Sequence, residues 1–145
     1  MAVVAPARTG ALTAAAVPGV RPLTLTEPLP GFPHHRDYVL VAADAGGLLR
    51  WLQSMDPEGP RFLVVPPAPF VQEYAPRLPV AALTELGLGA AEQAELFCLV
   101  TVPEGDVREA TANLRAPLVV HPGTGRARQV VLPEGGHPIR HALRR

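Results

Sequence analysis

The stretch TANLRAPLVV, residues 111–120, carries the decision about the fold. Read with period two, Ala112, Leu114, Ala116, Leu118 and Val120 form one continuous apolar face. Thr111, Asn113, Arg115, Pro117 and Val119 form the other. The alternation predicts a β-strand with Asn113 and Arg115 side by side on its outer surface. Pro117 cannot donate a backbone hydrogen bond, so it marks an edge position or a bulge where the chain bends into a hairpin. That hairpin is written in the next residues: APLVVH and RQVVL flank PGTGRA, a loop with two glycines and a proline.

Outward from this stretch the pattern repeats. RPLTLTEPL places Leu23 and Leu25 on one side and Thr24 and Thr26 on the other, and DYVLVA, LLRWLQS, RFLVV and ELFCLVTV are each of strand length. Both faces of residues 95–102 are apolar, as in a strand covered on two sides. Eighteen prolines and thirteen glycines argue against long helices. One helix is predicted in PVAALTELG, with Pro79 at its start, Val80, Leu83 and Leu86 at i, i+3 and i+6, and Gly87 as its stop. A second short turn is expected near residues 90–95. The fold class is therefore mostly β: a compact single-domain antiparallel β-barrel-like fold with one or two short helices. The expected organisation is a disordered Ala/Pro-rich tail over residues 1–20, the barrel domain over 21–141 and a basic C-terminal end over 142–145.

The chain of 145 residues is long enough for one core, and its formal charge is zero. The balance hides an asymmetry: residues 51–110 carry nine acidic and three basic side chains, and residues 111–145 carry one acidic and six basic. An acidic middle suits a basic partner, although charges that merely solvate loops account for it more simply. All thirteen basic residues are Arg, which a biased coding composition explains. Cys98 is the only cysteine, which excludes an intramolecular disulfide and fits a reducing compartment; its apolar run reads as core rather than reactive thiol. No window approaches the ~18 apolar residues of a membrane helix.

The residues give little chemistry. The glycine-rich loop after Val120 lacks the lysine of a phosphate-binding loop, and the chain has no lysine at all. His34 and His35 are adjacent and point apart in regular structure; His137 and His141 have helical ligand spacing but are interrupted by Pro138 and lack a third ligand. Ser54, the only serine, has no nucleophile-elbow motif around it. Glu104 and Asp106 sit in a turn. Aromatic residues that could stack on bases are scarce in the basic third. No catalytic, cofactor or metal residue is assigned.

The order of LPGF, WLQS, RFLVV, VTVPE, TANLRAPLVV and RQVVL resembles the bacterial flagellar assembly factor FliW family, from about Leu23 to Arg140. The resemblance implies a small cytoplasmic β-barrel protein without catalytic activity. It further implies partner switching: the protein binds flagellin and also CsrA, an RNA-binding repressor of flagellin translation, and releases the repression when free of flagellin. Direct nucleic-acid or membrane binding is not expected, and the protein is expected to be a monomer. Two positions depart from the family pattern: His121, where relatives usually carry Asn, and the surroundings of His137, where they usually carry an aromatic.

A binding protein needs a surface patch, often with aromatic and Arg anchors. Phe70, Glu73 and Tyr74, in the Pro-rich loop APFVQEYAP, have little core to join and are the candidates for partner contact. Asn113 and Arg115 join them, with a role in stitching the barrel to a neighbouring loop as the other reading. Trp51 fits core and surface equally, and Phe32 is expected to plug one end of the barrel. The alternatives are a β-barrel RNA-binding or adaptor protein and a small hydrolase using Ser54 or the histidines.

Overall fold

In the computed structural model, residues 19–46, 48–72, 74–133 and 136–143 are described. Four strands form an antiparallel meander: β1 (Val20–Leu25), β2 (Asp37–Ala42), β3 (Arg50–Ser54) and β4 (Arg61–Val65). A helix, α1 (Val80–Leu86), and a 3₁₀ turn (Ala91–Gln93) lead into β5 (Glu95–Thr101). Two further 3₁₀ turns precede β6 (Thr111–Ala112), followed by β7 (Leu118–Val120), β8 (Arg126–Gln129) and β9 (His141–Ala142).

The ring closes at two seams. β4 pairs with β5 through Val64↔Leu99 and Val65↔Cys98, and β1 runs parallel to β8 through Thr24↔Arg126 and Leu25↔Ala127. With β5–β7 and β7–β8 antiparallel, seven strands form a closed barrel. The far end of β5 pairs with β6, and β6 with β9, as a short flap on the outside of the ring. Gly125 is what lets the parallel seam form. Its φ is +79°, and a Cβ there would stand 2.7 Å from the Pro22 carbonyl oxygen.

Three apolar clusters hold these elements. The barrel interior contains Leu23, Leu25, Tyr38, Leu40, Leu52, Phe97, Leu118 and Val120, each at most 1% exposed. Each large side chain so buried stabilises the fold by roughly 1.5–3 kcal/mol. Outside the barrel, α1 lays Ala82 and Leu86 over Val119, Val130 and Leu132. The third cluster, Val65, Cys98, Ala112 and Leu114, lies under the loop after β4. Thus Phe97 points into the barrel and Cys98 into an outer cluster, the two-sided burial expected of that strand. Phe32 stacks edge-on against Phe62 at 5.3 Å, where the chain leaves β1. Trp51 is on the outer side, half-buried beneath the Arg61 guanidinium at 4.2 Å.

Three expectations need correction. Residues 111–120 are two strands separated by a turn, because the Asn113 side chain takes the backbone N–H groups of Arg115 and Ala116 and breaks the ladder. The alternating burial nevertheless continues through the turn: Leu114 and Ala116 are buried and Arg115 is exposed. Pro117 and Val119, placed on the outer face, are buried too, Val119 because α1 covers it. In α1 the stripe is Ala82, Leu83 and Leu86; Val80 is 77% exposed because the first turn overhangs the barrel. β8 starts two residues before RQVVL and ends at Gln129, although Val130 and Leu132 still donate to the Pro117 and Arg115 carbonyls.

Candidate partner-binding surface

The turn after β6 draws most of the predicted residues to one place. Asn113 Oδ1 accepts from the N–H of Arg115 at 2.9 Å and of Ala116 at 3.2 Å, an Asx turn that turns the chain from the flap into the barrel. Leu114, inside that turn, offers its carbonyl to the Tyr74 hydroxyl at 2.6 Å and its N–H to the Pro138 carbonyl at 3.0 Å. The Arg115 Nε donates to the His137 carbonyl at 3.3 Å, and the His137 ring meets Tyr74 edge-on at 5.3 Å. Tyr74, Asn113, Arg115 and His137 therefore form one patch, in which the turn ties the Pro-rich loop to the C-terminal segment.

Phe70 and Tyr74 differ from expectation. Both are half-buried and pack against the third cluster, because the loop folds back through the Phe70 and Val71 N–H groups to the Pro67 carbonyl. A Pro-rich loop thus found a core of its own, which spacing alone does not reveal. Glu73 lies outside the described residues. Beside Tyr74 runs a groove of about 700 Å³ lined by Pro66, Pro67, Ala68, Val71 and Leu96. His137 was weighed as a metal ligand and as a departure from the family pattern, and not as a neighbour of Tyr74 and Arg115.

The electrostatics of the patch are those of a packed surface. Burial pushes the Cys98 thiol up to about 12, against a small opposing effect of the Tyr74 hydroxyl beside it. Tyr74 is raised as well, by burial first and by Cys98 second. Both groups are neutral at physiological pH, so neither supplies a nucleophile or a base there.

Ser54 and His35 are brought together, with His35 Nδ1 and Ser54 Oγ 3.1 Å apart. The same Oγ accepts from the Asp56 N–H at 3.1 Å, and Ser54 is only 5% exposed. A Cβ on Gly59 would lie 2.3 Å from that oxygen, so the turn sits directly on the hydroxyl with no room for a substrate. The pair anchors the 55–60 turn. Of the other histidines, His34 is exposed, and His121 Nδ1 accepts from the N–H groups of Gly123 and Thr124. His141 sits in β9, apart from any helix. Among the described residues no three His, Cys, Asp or Glu side chains are grouped to hold a metal ion, and no helix is long and apolar enough to cross a membrane.

Fold and surface together define a small closed β-barrel with a looped outer rim, built from hydrogen-bonded turns. The model of the FliW protein family matches residues 7–143. The chain belongs to the FliW family. It is 39% identical over 114 residues to the flagellar assembly factor FliW of Symbiobacterium thermophilum, covering 78% of this chain and 82% of the relative. The corresponding protein of Thermotoga neapolitana is 32% identical over 117 residues, 81% of this chain and 78% of the relative. A crystal structure of the flagellar assembly factor FliW superposes with a TM-score of 0.75 at 24% identity, over 84% of each chain, and has the same fold. The family match begins at residue 7, ahead of the start near Leu23 that the motifs suggest.

Proposed function

We propose that this protein is a non-enzymatic flagellar assembly factor that works in the cytoplasm as a monomer by binding flagellin and, when free of it, CsrA. Binding to CsrA would relieve repression of flagellin synthesis. The observation that carries the reading is the family match over residues 7–143, together with relatives that are flagellar assembly factors. The architecture is compatible with it: a rigid barrel supports a rim of loops, and a partner switch requires only that two ligands compete for occupancy of one protein. The rim around Tyr74, Asn113 and Arg115, with Phe70 beneath it, is the proposed contact surface, and the acidic middle of the chain suits a basic partner. The closed setting of Ser54 supports binding over hydrolysis.

Isothermal titration of the full chain with flagellin and with CsrA from the same organism tests this. Saturable binding of each near one-to-one stoichiometry is expected. Absence of heat with both partners, at concentrations where the barrel is folded, would rule the proposal out. Repeating the titration with Arg115→Ala separates contact from scaffold, since a contact residue weakens binding while leaving the unfolding midpoint in place.

A further inference from the structure

The parallel seam between β1 and β8 is shorter than β8 and the residues that extend it. β1 makes its last bond when the Thr26 N–H donates to the Ala127 carbonyl, at 2.9 Å. It then enters Glu27-Pro28-Leu29-Pro30, and Pro28 and Pro30 have no N–H with which to continue a ladder. The strand beyond runs on to Leu132. His121 donates to Arg126, and Val130 and Leu132 donate to Pro117 and Arg115, so the even-numbered residues face β7. Alternation then turns the N–H and C=O of Gln129 and Val131 towards the side that β1 has vacated.

That side is a groove of about 530 Å³. Its walls are Pro28 and Pro30 on one flank and Pro79 and Ala81 on the other, and Val131 on its floor is 70% exposed. An edge left open among the described residues, beside an exposed valine, is a feature proteins ordinarily cover. At its β1 end the groove meets a charged mouth formed by Arg36, Arg126, Arg128, Glu27 and Glu85. Arg128 is taken by the two carboxylates, at 2.8 Å from Glu27 and 2.7 Å from Glu85. Arg36 donates to the Thr26 carbonyl, and Arg126, exposed and near enough to Glu85 to help lower its carboxyl, makes no salt bridge among the described residues. Three guanidiniums against two carboxylates leave the mouth one positive charge in excess.

We propose that this groove binds an extended peptide by strand addition to the Gln129–Val131 edge, with a carboxylate of the peptide held by Arg36 and Arg126. Edge addition provides main-chain hydrogen bonds, and the proline and alanine walls select small apolar side chains. Because Arg126 opens β8, a peptide that ends there runs antiparallel to it. The carboxylate is the peptide's own C-terminus, which an antiparallel strand ending at Arg126 delivers to the mouth.

Fluorescence anisotropy of the full chain with labelled pentapeptides of alternating threonine and valine tests this. Three forms are compared: the free acid, the C-terminal amide, and an amide with aspartate as its last residue. The free acid is expected to bind about tenfold more tightly than either amide, as charge-assisted bonds to guanidinium require. Arg126→Glu should abolish that preference. Val131→Pro removes one of the two groove-facing donors and spares the bonds of Val130 and Leu132, and Ala81→Trp fills the groove; each should weaken binding about tenfold with an unchanged melting temperature. The proposal is overturned if no form binds, if either amide binds as well as the free acid, or if both groove variants bind normally. It is equally overturned if the protein self-associates through this edge, losing its dimer in Val131→Pro while binding no peptide.

Discussion

At the scale of single residues, the patch is held by side chains whose hydrogen-bond partners are main-chain groups. Asn113 satisfies two N–H groups and Arg115 donates one bond to a carbonyl on the surface. The two substitutions should therefore differ. Asn113→Ala is expected to cost about 1–2 kcal/mol in urea unfolding, since it leaves two turn donors without their acceptor, and Asn113→Asp should retain most of the stability. Arg115→Ala should cost about 0.5 kcal/mol. Equal losses would mean that the turn is held by something other than the Asx contact. Gly59→Ala places a methyl 2.3 Å from Ser54 Oγ and 2.5 Å from its Cβ, and so should cost about 1–3 kcal/mol, a loss that Ser54→Ala does not rescue because the Cβ contact remains. The polar spacing of Asn113 and Arg115 was legible in the sequence, but its meaning was not. An Asx turn keeps Leu114 and Ala116 pointing inward, so the apolar alternation runs unbroken across a point where the strand itself ends.

At the scale of elements, α1 is the informative case. Its position, its Pro79 entry and its Gly87 stop were all readable, because they depend on local chain chemistry. Which residues it buries depends on where the barrel stops beneath it, and no local pattern carries that. Leu86→Ala, at 1% exposure, should cost about 2–5 kcal/mol, and Val80→Ser should leave stability within about 0.5 kcal/mol, both measured by chemical denaturation. The helix is also tied to the seam through charge. The Thr26 hydroxyl, ahead of Arg128, holds the Glu85 carboxyl below its ordinary range. A carboxylate depressed on folding contributes stability that is present above its unfolded pKa and is lost as pH falls through the folded one. Thermal melts taken below the ordinary glutamate range should therefore fall more steeply for the native chain than for Glu85→Gln. Parallel acid profiles would remove Glu85 from the account.

At the scale of the whole molecule, seven strand-length runs could be read from the sequence, together with the two-sided burial of residues 95–102, but not the split of 111–120 into β6 and β7 or the short β9. The closure could not. It depends on β1 meeting β8 in parallel across a sequence separation of about a hundred residues, and on β4 meeting β5 across the Pro-rich loop. The one local trace of the seam is Gly125, which read as an ordinary loop glycine and proves to stand against the Pro22 carbonyl. The closed ring explains how such a small chain can present long loops: its interior is filled by side chains, and the rim is free to carry contacts. The role proposed for this barrel is a switch between two protein partners. The most direct test is competition in one solution, with labelled CsrA bound to the full chain and unlabelled flagellin added. Flagellin is expected to release CsrA in proportion to the flagellin added, with saturation near one equivalent. CsrA that never binds, or that stays bound while flagellin occupies the same molecule without loss of affinity, would contradict it.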